Sequence, residues 1–592
     1  MSKDFYVLGY SGLDGYLKYK NSNIISLSDR ESLVSQGMDA AAALLKNGQI
    51  IAASAEERFG TIKHTGNFPM HAINACLNKA GIKISDISCF AHNFNYEPYK
   101  ELFFLNDYSK NLFDSILSDK AQIDLFKLNY NIDVNDKFFG FDHHMCHAAY
   151  AFETSGYEAS LVIIADGLGE FNSISVYSGD KIQGLKLLKT YGPSSSLGIL
   201  YSAATDYLGF LTNSDEYKIM GLAAYGNKTV YKKLFDEIVV LSDNGRIEIK
   251  NLVPQKINKP EERETYVYFK SWLSQYIFKE RDPNAPVEQK HKDFAAALQE
   301  KINEAVLHLV RHWSHTTGLN SLCMAGGVAL NCVANERIAK SGLVKRFYVA
   351  PASSDDGTSL GAALIAMRNR GISLSKKHFL DMPFYGPSIA EGIIDYRLPT
   401  ELSVEKLKDG KLIEIVADAL VDNKIVAWAQ GNMEFGPRAL GHRSILAIPC
   451  DAKMRERLNI VTKQRESFRP FAPIVKKESI NKYFETYDGV VYKHMLVNTK
   501  VREKYRSKLQ AVIHIDGTSR AQAVDKKDLP LLWKLLDEIE RRTTIPVLLN
   551  TSFNLKSMPI VCYKKDAIES YLNSDIDLLV INNEVIRKRQ KK

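Results

Sequence analysis

The chain has 592 residues, of which 45% are hydrophobic and 25% charged, a composition typical of a globular protein rather than a disordered or fibrous one. Its net charge of +8 is small for this length, and no dense basic stripe marks a nucleic-acid-binding surface. The seven cysteines are scattered without zinc-finger spacing, and no apolar run reaches the ~18 residues of a membrane span. We therefore expect a cytoplasmic protein of several domains, at about 150 residues per domain.

The first part of the chain predicts a short strand, a loop and a hairpin. The strand is expected at 5–9 and the loop over the polar residues 16–36. Apolar runs at 38–45 and 49–54 flank an Asn-Gly pair, which is a strong signal for a two-residue hairpin turn. Apolar residues at helical spacing then predict a helix over 70–80.

A histidine run followed by a glycine turn is the most informative stretch of the sequence. His143 and His147 are four residues apart, so on a helix they would share a face and could hold one divalent metal. The next predicted strand, 160–165, ends in Asp166-Gly167-Leu168-Gly169. The backbone of such a turn can approach a phosphate, with a carboxylate beside it. Two capping or core histidines and an ordinary hairpin are the alternative.

A second strand and glycine turn follow the long helix predicted over 291–316. The strand at 321–324 leads into Ala325-Gly326-Gly327, and the next helix starts there, directing backbone amides toward a phosphate. This repetition predicts two halves around one nucleotide cleft, an actin- or sugar-kinase-like architecture. Asp355 or Asp356 could add a carboxylate to the two histidines, a set that suits Fe(II), Zn or Mn. For Asp355, a helix N-cap is the alternative.

Residues 371–400 are rich in proline and glycine and predict a linker into a second domain. Three other stretches carry no recognisable chemistry, and we expect substrate specificity to lie in them: 11–36, 95–140 and 228–285. The last of these is charged and irregular, so an insertion or a mobile cap is expected there.

The second domain contains candidate anion ligands. Four arginines lie in stretches that are too apolar for a solvated face: Arg438, Arg443, Arg469 and Arg520. Together with Lys463 they could neutralise ATP and an acyl phosphate, because guanidinium groups bind phosphate through paired hydrogen bonds. Asn550 and Ser552, at the end of a strand, suit hydrogen bonds to a small planar group. Interdomain salt bridges are the alternative for the arginines.

Several segments together give nearly the whole chain a resemblance to the O-carbamoyltransferases of the NodU/TobZ type. They are the histidine run, Met-Gly-Leu-Ala-Ala-Tyr-Gly at 220–226, Ala-Gly-Gly-Val-Ala-Leu-Asn at 325–331, Gly-Pro-Arg-Ala-Leu-Gly-His-Arg-Ser at 436–444 and Phe-Arg-Pro-Phe-Ala-Pro at 468–473. The resemblance implies a two-domain α/β fold. A duplicated actin/ASKHA-like domain of the TsaD type would span 1–375, a linker 376–400, and a YrdC-like α+β domain 401–592.

The resemblance also implies a reaction in two steps. The YrdC-like domain would use carbamoyl phosphate and ATP, with Mg, to form carbamoyl adenylate. The TsaD-like domain, with Fe(II) or another divalent metal, would transfer the carbamoyl group to a hydroxyl of a small natural-product acceptor. That acceptor is the expected partner. Nucleic acid and membrane are not expected, and a homodimer is an open expectation.

The motif match assigns three groups of site residues. Carbamoyl phosphate and ATP would be bound by Arg438, Lys463, Arg469, Arg520, Asn550 and Ser552. The adenylate would be bound by Asp166, Gly167, Gly169, Gly326, Gly327 and Asn331. The metal ligands would be His143, His147 and Asp355, and Lys63 would lie at the transfer site.

One departure from the family concerns the base for the acceptor hydroxyl. The usual His-Asp pair at the start of the first hairpin is Met38-Asp39 here. If that histidine is the base, its role passes to Asp39, His64 or His144, and we count Asp39 and His64 with Lys63 as catalytic candidates. Two other functions stay open: a tRNA threonylcarbamoyl-transfer enzyme, which would need an RNA-binding surface, and a non-catalytic nucleotide-binding ASKHA protein.

Overall fold

The computed structural model divides the chain into two compact units. One comprises Met1–Glu56 and His64–Leu380, and the other comprises Glu57–Lys63 and Asp381–Lys592. The structure describes residues 4–25, 27–254, 259–392, 398–460 and 471–589. Lys463 and Arg469, two of the predicted phosphate ligands, lie outside the described residues.

The first unit is built on two five-stranded sheets. The first sheet contains β1 (Tyr6–Ser11), β2 (Ala41–Lys46), β3 (Gln49–Ala55), β4 (Cys89–His92) and β5 (Phe138–Gly140). The following strands are β6 (Ala159–Ala165), β7 (Ile174–Asp180), β8 (Gly184–Tyr191), β9 (Val239–Leu241), β10 (Ile247–Ile249), β11 (Ser321–Ala325) and β12 (Arg346–Val349). Of these, β9 and β10 pair with each other, and the remaining five form the second sheet.

The two sheets have the same topology. The first has the order β3-β2-β1-β4-β5 and the second the order β8-β7-β6-β11-β12. In each, the first strand in the chain pairs antiparallel with a hairpin partner on one side and parallel with a later strand on the other. The outer pairs repeat this pattern, antiparallel on the hairpin side and parallel on the other. The predicted duplication is therefore confirmed.

Helices connect and cover these strands. In chain order they are α1 (Tyr16–Asn23), α2 (Met70–Ala80), α3 (Lys100–Phe103), α4 (Asp107–Leu112), α5 (Asp119–Tyr130), α6 (His143–Ser155), α7 (Leu197–Tyr207), α8 (Glu216–Ala223), α9 (Lys232–Ile238), α10 (Pro260–Glu264), α11 (Val267–Tyr276), α12 (Gln289–Thr317), α13 (Cys332–Ser341) and α14 (Asp356–Arg368). The hairpin around Asn47-Gly48 and the helix at 70–80 are as predicted. Within the described part of the chain, no helix is both long and apolar enough to cross a membrane.

The loop prediction for 16–36 is wrong, because α1 occupies its first part. Tyr16 and Lys20, one helical turn apart, are both buried. Tyr16 Oη donates to Glu264 Oε2 at 2.7 Å, and Lys20 Nζ donates to the backbone oxygen of Glu31 at 2.6 Å. The helix is thus stabilised by contacts with distant residues, which its polar sequence does not reveal.

The second unit is built on an eight-stranded mixed sheet of order β13-β23-β22-β14-β15-β21-β16-β20, with a separate three-stranded sheet, β17-β18-β19. Its strands are β13 (Leu402–Lys406), β14 (Val426–Ala429), β15 (Arg443–Ala447), β16 (Ala472–Lys476), β17 (Phe484–Glu485), β18 (Thr499–Val501), β19 (Thr518–Ser519), β20 (Gln522–Val524), β21 (Val547–Ser552), β22 (Leu578–Ile581) and β23 (Glu584–Lys588). Its helices are α15 (Asp409–Val421), α16 (Ala452–Leu458), α17 (Ile480–Tyr483), α18 (Pro530–Thr543) and α19 (Lys564–Leu572).

Helices α15 and α18 supply much of the core of this second unit. Val416 and Leu535, from these two helices, are buried in one apolar cluster with Trp428 of β14 and Leu548 of β21. The burial of large apolar side chains between helices and a sheet is what stabilises a layered α/β unit. The chain therefore has the two-domain α/β fold that the resemblance implies.

Candidate functional site

Four side chains of the first unit converge on one point. His143 and His147 lie on α6, Asp166 directly follows β6, and Asp355 directly precedes α14. One polar atom from each lies within 4.8 Å of the other three. Nε2 of His143 is 3.4 Å from Asp166 Oδ2 and 3.4 Å from Asp355 Oδ1, and Nε2 of His147 is 3.6 Å from Asp355 Oδ1. The three residues assigned to the metal are thus together, and Asp166, assigned to the adenylate, is the fourth.

The donor set fits a divalent metal. Both imidazoles are fully buried, and their Nε2 atoms have no hydrogen-bond partner within the described ranges. Burying a polar atom without a hydrogen bond costs free energy, and a bound metal ion would remove that cost. Two imidazole nitrogens and two carboxylate oxygens are ligands that Fe(II), Mn and Zn accept. His143, His147, Asp166 and Asp355 would hold such an ion.

The carboxylates and imidazoles also perturb each other's protonation. Burial alone would lower the pKa of His143, but the negative charges of Asp355 and Asp166 raise it well above its ordinary value. Burial likewise opposes ionisation of Asp166, yet its contact with His143 holds the pKa of that carboxyl well below the usual range. Without a metal the cluster therefore favours ionised carboxylates and a protonated His143, and an ion that bound there would displace that proton.

The start of α6 fixes the orientation of His143. Asp142 caps the helix by accepting from Met145 N at 2.8 Å. Glu170 accepts from the backbone amide of His143 at 3.1 Å. On the other side, the Phe94 ring stacks on the imidazole with centroids 4.4 Å apart and planes at 10°. Glu170 was not found from the sequence; an acid directly after the glycine turn is its only sequence signal.

The two glycine turns meet beside this cluster. Asp166 Oδ1 accepts from the backbone amide of Gly327 at 2.8 Å. Gly326 has φ 87°, and a Cβ there would come within 2.4 Å of the Ala165 carbonyl oxygen, so only glycine fits. A Cβ on Gly169 would approach that of His143 at 3.2 Å, whereas one on Gly167 would meet nothing within 4 Å. There is thus space beside the Cα of Gly167, whereas its carbonyl oxygen accepts from Ser196 Oγ at 2.6 Å.

Asn331, assigned to the adenylate, has contacts within the protein. Its Oδ1 accepts from Ala334 N at 3.1 Å and so caps α13. Its Nδ2 donates to Gln299 Oε1 at 3.1 Å. The structure therefore gives Asn331 a helix-capping role beside the second glycine turn.

Asp39 and His64 form a close pair in the first unit. His64 Nδ1 lies 2.7 Å from Asp39 Oδ1. Both residues have left-handed backbones, with φ 54° for Asp39 and 53° for His64, an uncommon conformation that clusters at functional sites. Gln36 Nε2 donates to the Gly169 carbonyl oxygen at 2.6 Å, so the segment leading to Asp39 contacts the first glycine turn.

His144, the third alternative for the base, and Lys63, the third catalytic candidate, are placed differently. His144 is buried with Nδ1 2.7 Å from Ser175 Oγ, and burial lowers the pKa of its imidazole to about 3. Lys63 belongs to the segment Glu57–Lys63, which is part of the second unit. Of the three alternatives for the base, the geometry therefore favours the pair of Asp39 and His64 over His144.

In the second unit, two of the candidate ligands, Arg438 and Asn550, come together at one hairpin loop. Arg438 lies in the loop 430–442, between β14 and β15. Asn550 Nδ2 donates to the Ala439 carbonyl oxygen at 3.0 Å, next to Arg438. Asn550 and Ser552, two residues apart on β21, project to the same face of the sheet. Arg520 lies between β19 and β20.

Arg443 does not fit the phosphate-binding role predicted for it. The residue is fully buried. Its guanidinium nitrogens donate to the backbone oxygens of Pro387 at 3.2 Å, Gln430 at 2.6 Å and Cys562 at 3.1 Å. Because the guanidinium group is enclosed by carbonyl groups of its own chain, Arg443 is a structural residue.

Similarity to known carbamoyltransferases extends along most of the chain. The family described as Carbamoyltransferase N-terminus matches residues 34–364, and that described as Carbamoyltransferase C-terminus matches 417–588. The nodulation protein NolNO of Sinorhizobium fredii is 36% identical over 568 residues, which cover 93% of this chain and 79% of that protein. The 3'-hydroxymethylcephem-O-carbamoyltransferase of Amycolatopsis lactamdurans is 29% identical, covering 73% of this chain and 77% of that enzyme.

Among solved structures the similarity is more distant. Component A of the (R)-2-hydroxyglutaryl-CoA dehydratase of Acidaminococcus fermentans has a TM-score of 0.31 at 15% identity, covering 62% of this chain and 99% of that one. HypF of T. kodakarensis has a TM-score of 0.29 at 15% identity, covering 64% of this chain and 50% of that one.

Proposed function

The chain belongs to the carbamoyltransferase family, and we propose that it is an ATP-dependent O-carbamoyltransferase that acts in two steps. In the first, carbamoyl phosphate, ATP and water give carbamoyl adenylate, pyrophosphate and inorganic phosphate. In the second, the carbamoyl group moves from the adenylate to an acceptor hydroxyl and AMP leaves. The acceptor is a small hydroxylated natural product. The second unit, with the YrdC-like role, would carry out the first step.

The observation that carries this proposal is the convergence of His143, His147, Asp166 and Asp355 beside two glycine turns. A divalent metal bound there would supply Lewis-acid polarisation of the group being transferred. The turn at 166–169 would bind the adenylate phosphate, since amide groups in such turns attract anions. The site would thus combine anion binding with metal ligands, an arrangement that suits carbamoyl transfer from an adenylate.

The acceptor hydroxyl needs a base, and Asp39 with His64 suits that role. His64 would take the hydroxyl proton as the oxygen attacks the carbamoyl carbon. Asp39 would hold the imidazole ring and stabilise the positive charge that it acquires. This assignment explains how the chain can work with Met38 where the family usually has a histidine.

The activation step would depend on the positive groups of the second unit. Arg438 and Arg520, with Lys463 and Arg469 from the sequence match, would neutralise the phosphates, because most catalysis in such transfers is positioning and charge stabilisation. Asn550 and Ser552 would orient the planar carbamoyl group. Arg443 is left out of this set, since its donors are used within the protein.

The test is ATP–pyrophosphate exchange with the purified full-length chain. We expect exchange that depends on carbamoyl phosphate, and its complete absence would refute the proposed first step. Arg438→Ala should abolish exchange, whereas His147→Ala should leave it intact and block carbamoyl release to acceptor alcohols. If His147→Ala abolished exchange instead, the division of steps between the two units would be wrong. If the acceptor were tRNA instead, the assay would show transfer of a carbamoyl-type group to RNA and to none of a panel of alcohols.

A further inference from the structure

The loop that carries Arg438 is long for a hairpin and needs internal support. Strands β14 and β15 pair antiparallel, with Ala429 opposite Arg443, so residues 430–442 form the connection between them. Hairpin loops usually have about two to five residues, and longer ones hold a defined shape only through contacts of their own. Gly436 and Gly441, on either side of Arg438, have φ 118° and 111°, conformations that other residues rarely adopt.

Glu434 supplies the internal support from inside the loop. Its side chain is 4% exposed. Its Oε1 accepts hydrogen bonds from two backbone amides of the same loop, Leu440 and His442, both at 2.8 Å, and from that of Arg443, the first residue of β15, at 3.1 Å. A single carboxylate oxygen thereby fixes the chain on the far side of Arg438. Hydrogen bonds to a charged acceptor are among the stronger ones in proteins, which suits this bracing role.

Arg443 donates hydrogen bonds to backbone carbonyl oxygens at the start of the loop. Its Nη1 donates to the carbonyl oxygens of Gln430 and Gly431 at 2.6 and 3.2 Å. Glu434 therefore accepts hydrogen bonds from backbone amides of the loop, and Arg443 donates hydrogen bonds to its backbone carbonyls. The positive charge of Arg443 also offsets the cost of burying the Glu434 carboxylate.

The loop is also held by side chains from two other strands of the same sheet. Gln522 Nε2, on β20, donates to the Leu440 carbonyl oxygen at 2.8 Å. Asn550 Nδ2, on β21, donates to that of Ala439 at 3.0 Å. The backbone that follows Arg438 is thus fixed by Glu434 and by these two amide side chains.

We propose that Glu434 is a positioning residue for the activation step, whose Oε1 holds the 436–443 backbone in the shape that presents Arg438 to the substrate phosphates. The inference rests on the proposed function of the second unit. The positioning role requires only that one acceptor oxygen of residue 434 stays in place. A role in binding substrate or Mg would instead require the negative charge of Glu434. Oε2 of Glu434 has no hydrogen-bond partner within the described ranges, which makes direct ligand binding the alternative to be tested.

Two conservative substitutions separate position from charge. Glu434→Gln keeps an acceptor oxygen at the same distance from the backbone and removes the charge. Glu434→Asp keeps the charge and withdraws the oxygens by one methylene, out of reach of the three amides together. Glu478→Gln is the matched control, because Glu478 is exposed in the same unit and accepts a single hydrogen bond, from Trp533 Nε1 at 2.8 Å.

The measurement is the KM for carbamoyl phosphate and the kcat of carbamoyl-phosphate-dependent ATP–pyrophosphate exchange. We expect Glu434→Asp to raise this KM by at least about tenfold, because a small displacement of a binding group costs that much. Glu434→Gln should stay within about threefold of wild type in KM, and its melting temperature should fall because Arg443 loses its counter-charge. The control variant Glu478→Gln should change neither the KM nor the melting temperature.

Two results would overturn the inference. One is a KM that Glu434→Asp preserves and Glu434→Gln raises, which would assign the charge of Glu434 to ligand binding. The other is a KM unchanged in both variants. Should the wild type itself show no exchange, the proposed function would fail separately, and calorimetric titration with inorganic pyrophosphate would measure anion binding by the same loop. Binding that Glu434→Asp weakens no more than Glu434→Gln would then overturn the inference.

Discussion

Asp166 contacts Gly327 and His143 through different carboxylate oxygens. Its Oδ1 accepts from the Gly327 amide at 2.8 Å, and its Oδ2 lies 3.4 Å from His143 Nε2. The hydrogen bond to Gly327 crosses between the two glycine turns, 161 residues apart in the chain. One side chain therefore ties the second glycine turn to the geometry of the candidate metal ligands.

This tie predicts that a methyl group at position 327 weakens metal binding. In Gly327→Ala the added Cβ would lie 3.2 Å from Asp166 Oδ1, so the carboxylate or the turn must move. We expect metal affinity to fall about tenfold, as for other groups that orient a ligand. Gly167→Ala is the control, because a Cβ there meets nothing within 4 Å. Equal affinity of the two variants, measured by competition with a chelator, would contradict the prediction.

The four converging side chains predict a bound divalent metal that supports transfer but not activation. His147→Ala and Asp355→Asn should each reduce the metal content, measured by mass spectrometry of the purified protein, from stoichiometric to trace amounts. Exchange of pyrophosphate should persist in both variants. His71→Ala is the control, since His71 is 60% exposed and lies outside the cluster. Full metal occupancy in His147→Ala would show that the ion is bound elsewhere.

The pair of Asp39 and His64 predicts a rate effect confined to carbamoyl transfer. Asp39→Asn and His64→Gln should each slow transfer by about 10²–10⁴-fold, the usual contribution of a general base, and leave exchange unchanged. The matched control is His71→Gln, because His71 also pairs with a carboxylate, that of Glu56 at 2.5 Å. A transfer rate that His64→Gln leaves intact would assign the base to another group.

Buried His494 predicts loss of stability in mild acid. Burial, with the nearby charge of Lys493, lowers the pKa of its imidazole from 6.5 to about 4. Between these values the unfolded chain binds a proton that the folded chain does not, so the free energy of unfolding falls as the pH falls. The slope is up to about 1.4 kcal/mol per pH unit for one such group, and it ends below the folded pKa.

The measurement for His494 is the melting temperature of the second unit's transition between pH 6.5 and 4.5. His494→Gln keeps a donor near the Asp381 carbonyl oxygen, which His494 Nε2 contacts at 3.3 Å, and cannot titrate. We expect its melting temperature to fall less steeply with acid than that of wild type. Parallel profiles for the two proteins would show that His494 does not contribute to the acid sensitivity.

Local sequence predicted the elements whose signals are local. The Asn47-Gly48 turn, the helix at 70–80 and the strand before Asp166 all depend on periodicity or on turn residues within a few positions. The repeated strand and glycine turn was likewise enough to predict the duplicated architecture, because the same local pattern produces the same supersecondary unit twice.

Long-range contacts decided the rest. Helix α1 forms in a polar stretch because Tyr16 and Lys20 are buried against distant residues. Asp166 becomes a fourth candidate metal ligand only because parallel strands bring β6 and the start of α14 to one edge. Arg438 and Arg443 are alike as sequence, yet Arg443 is enclosed by backbone carbonyls. The residue types thus fixed the chemistry available to this protein, whereas burial and neighbours far along the chain determined which of those groups face a ligand.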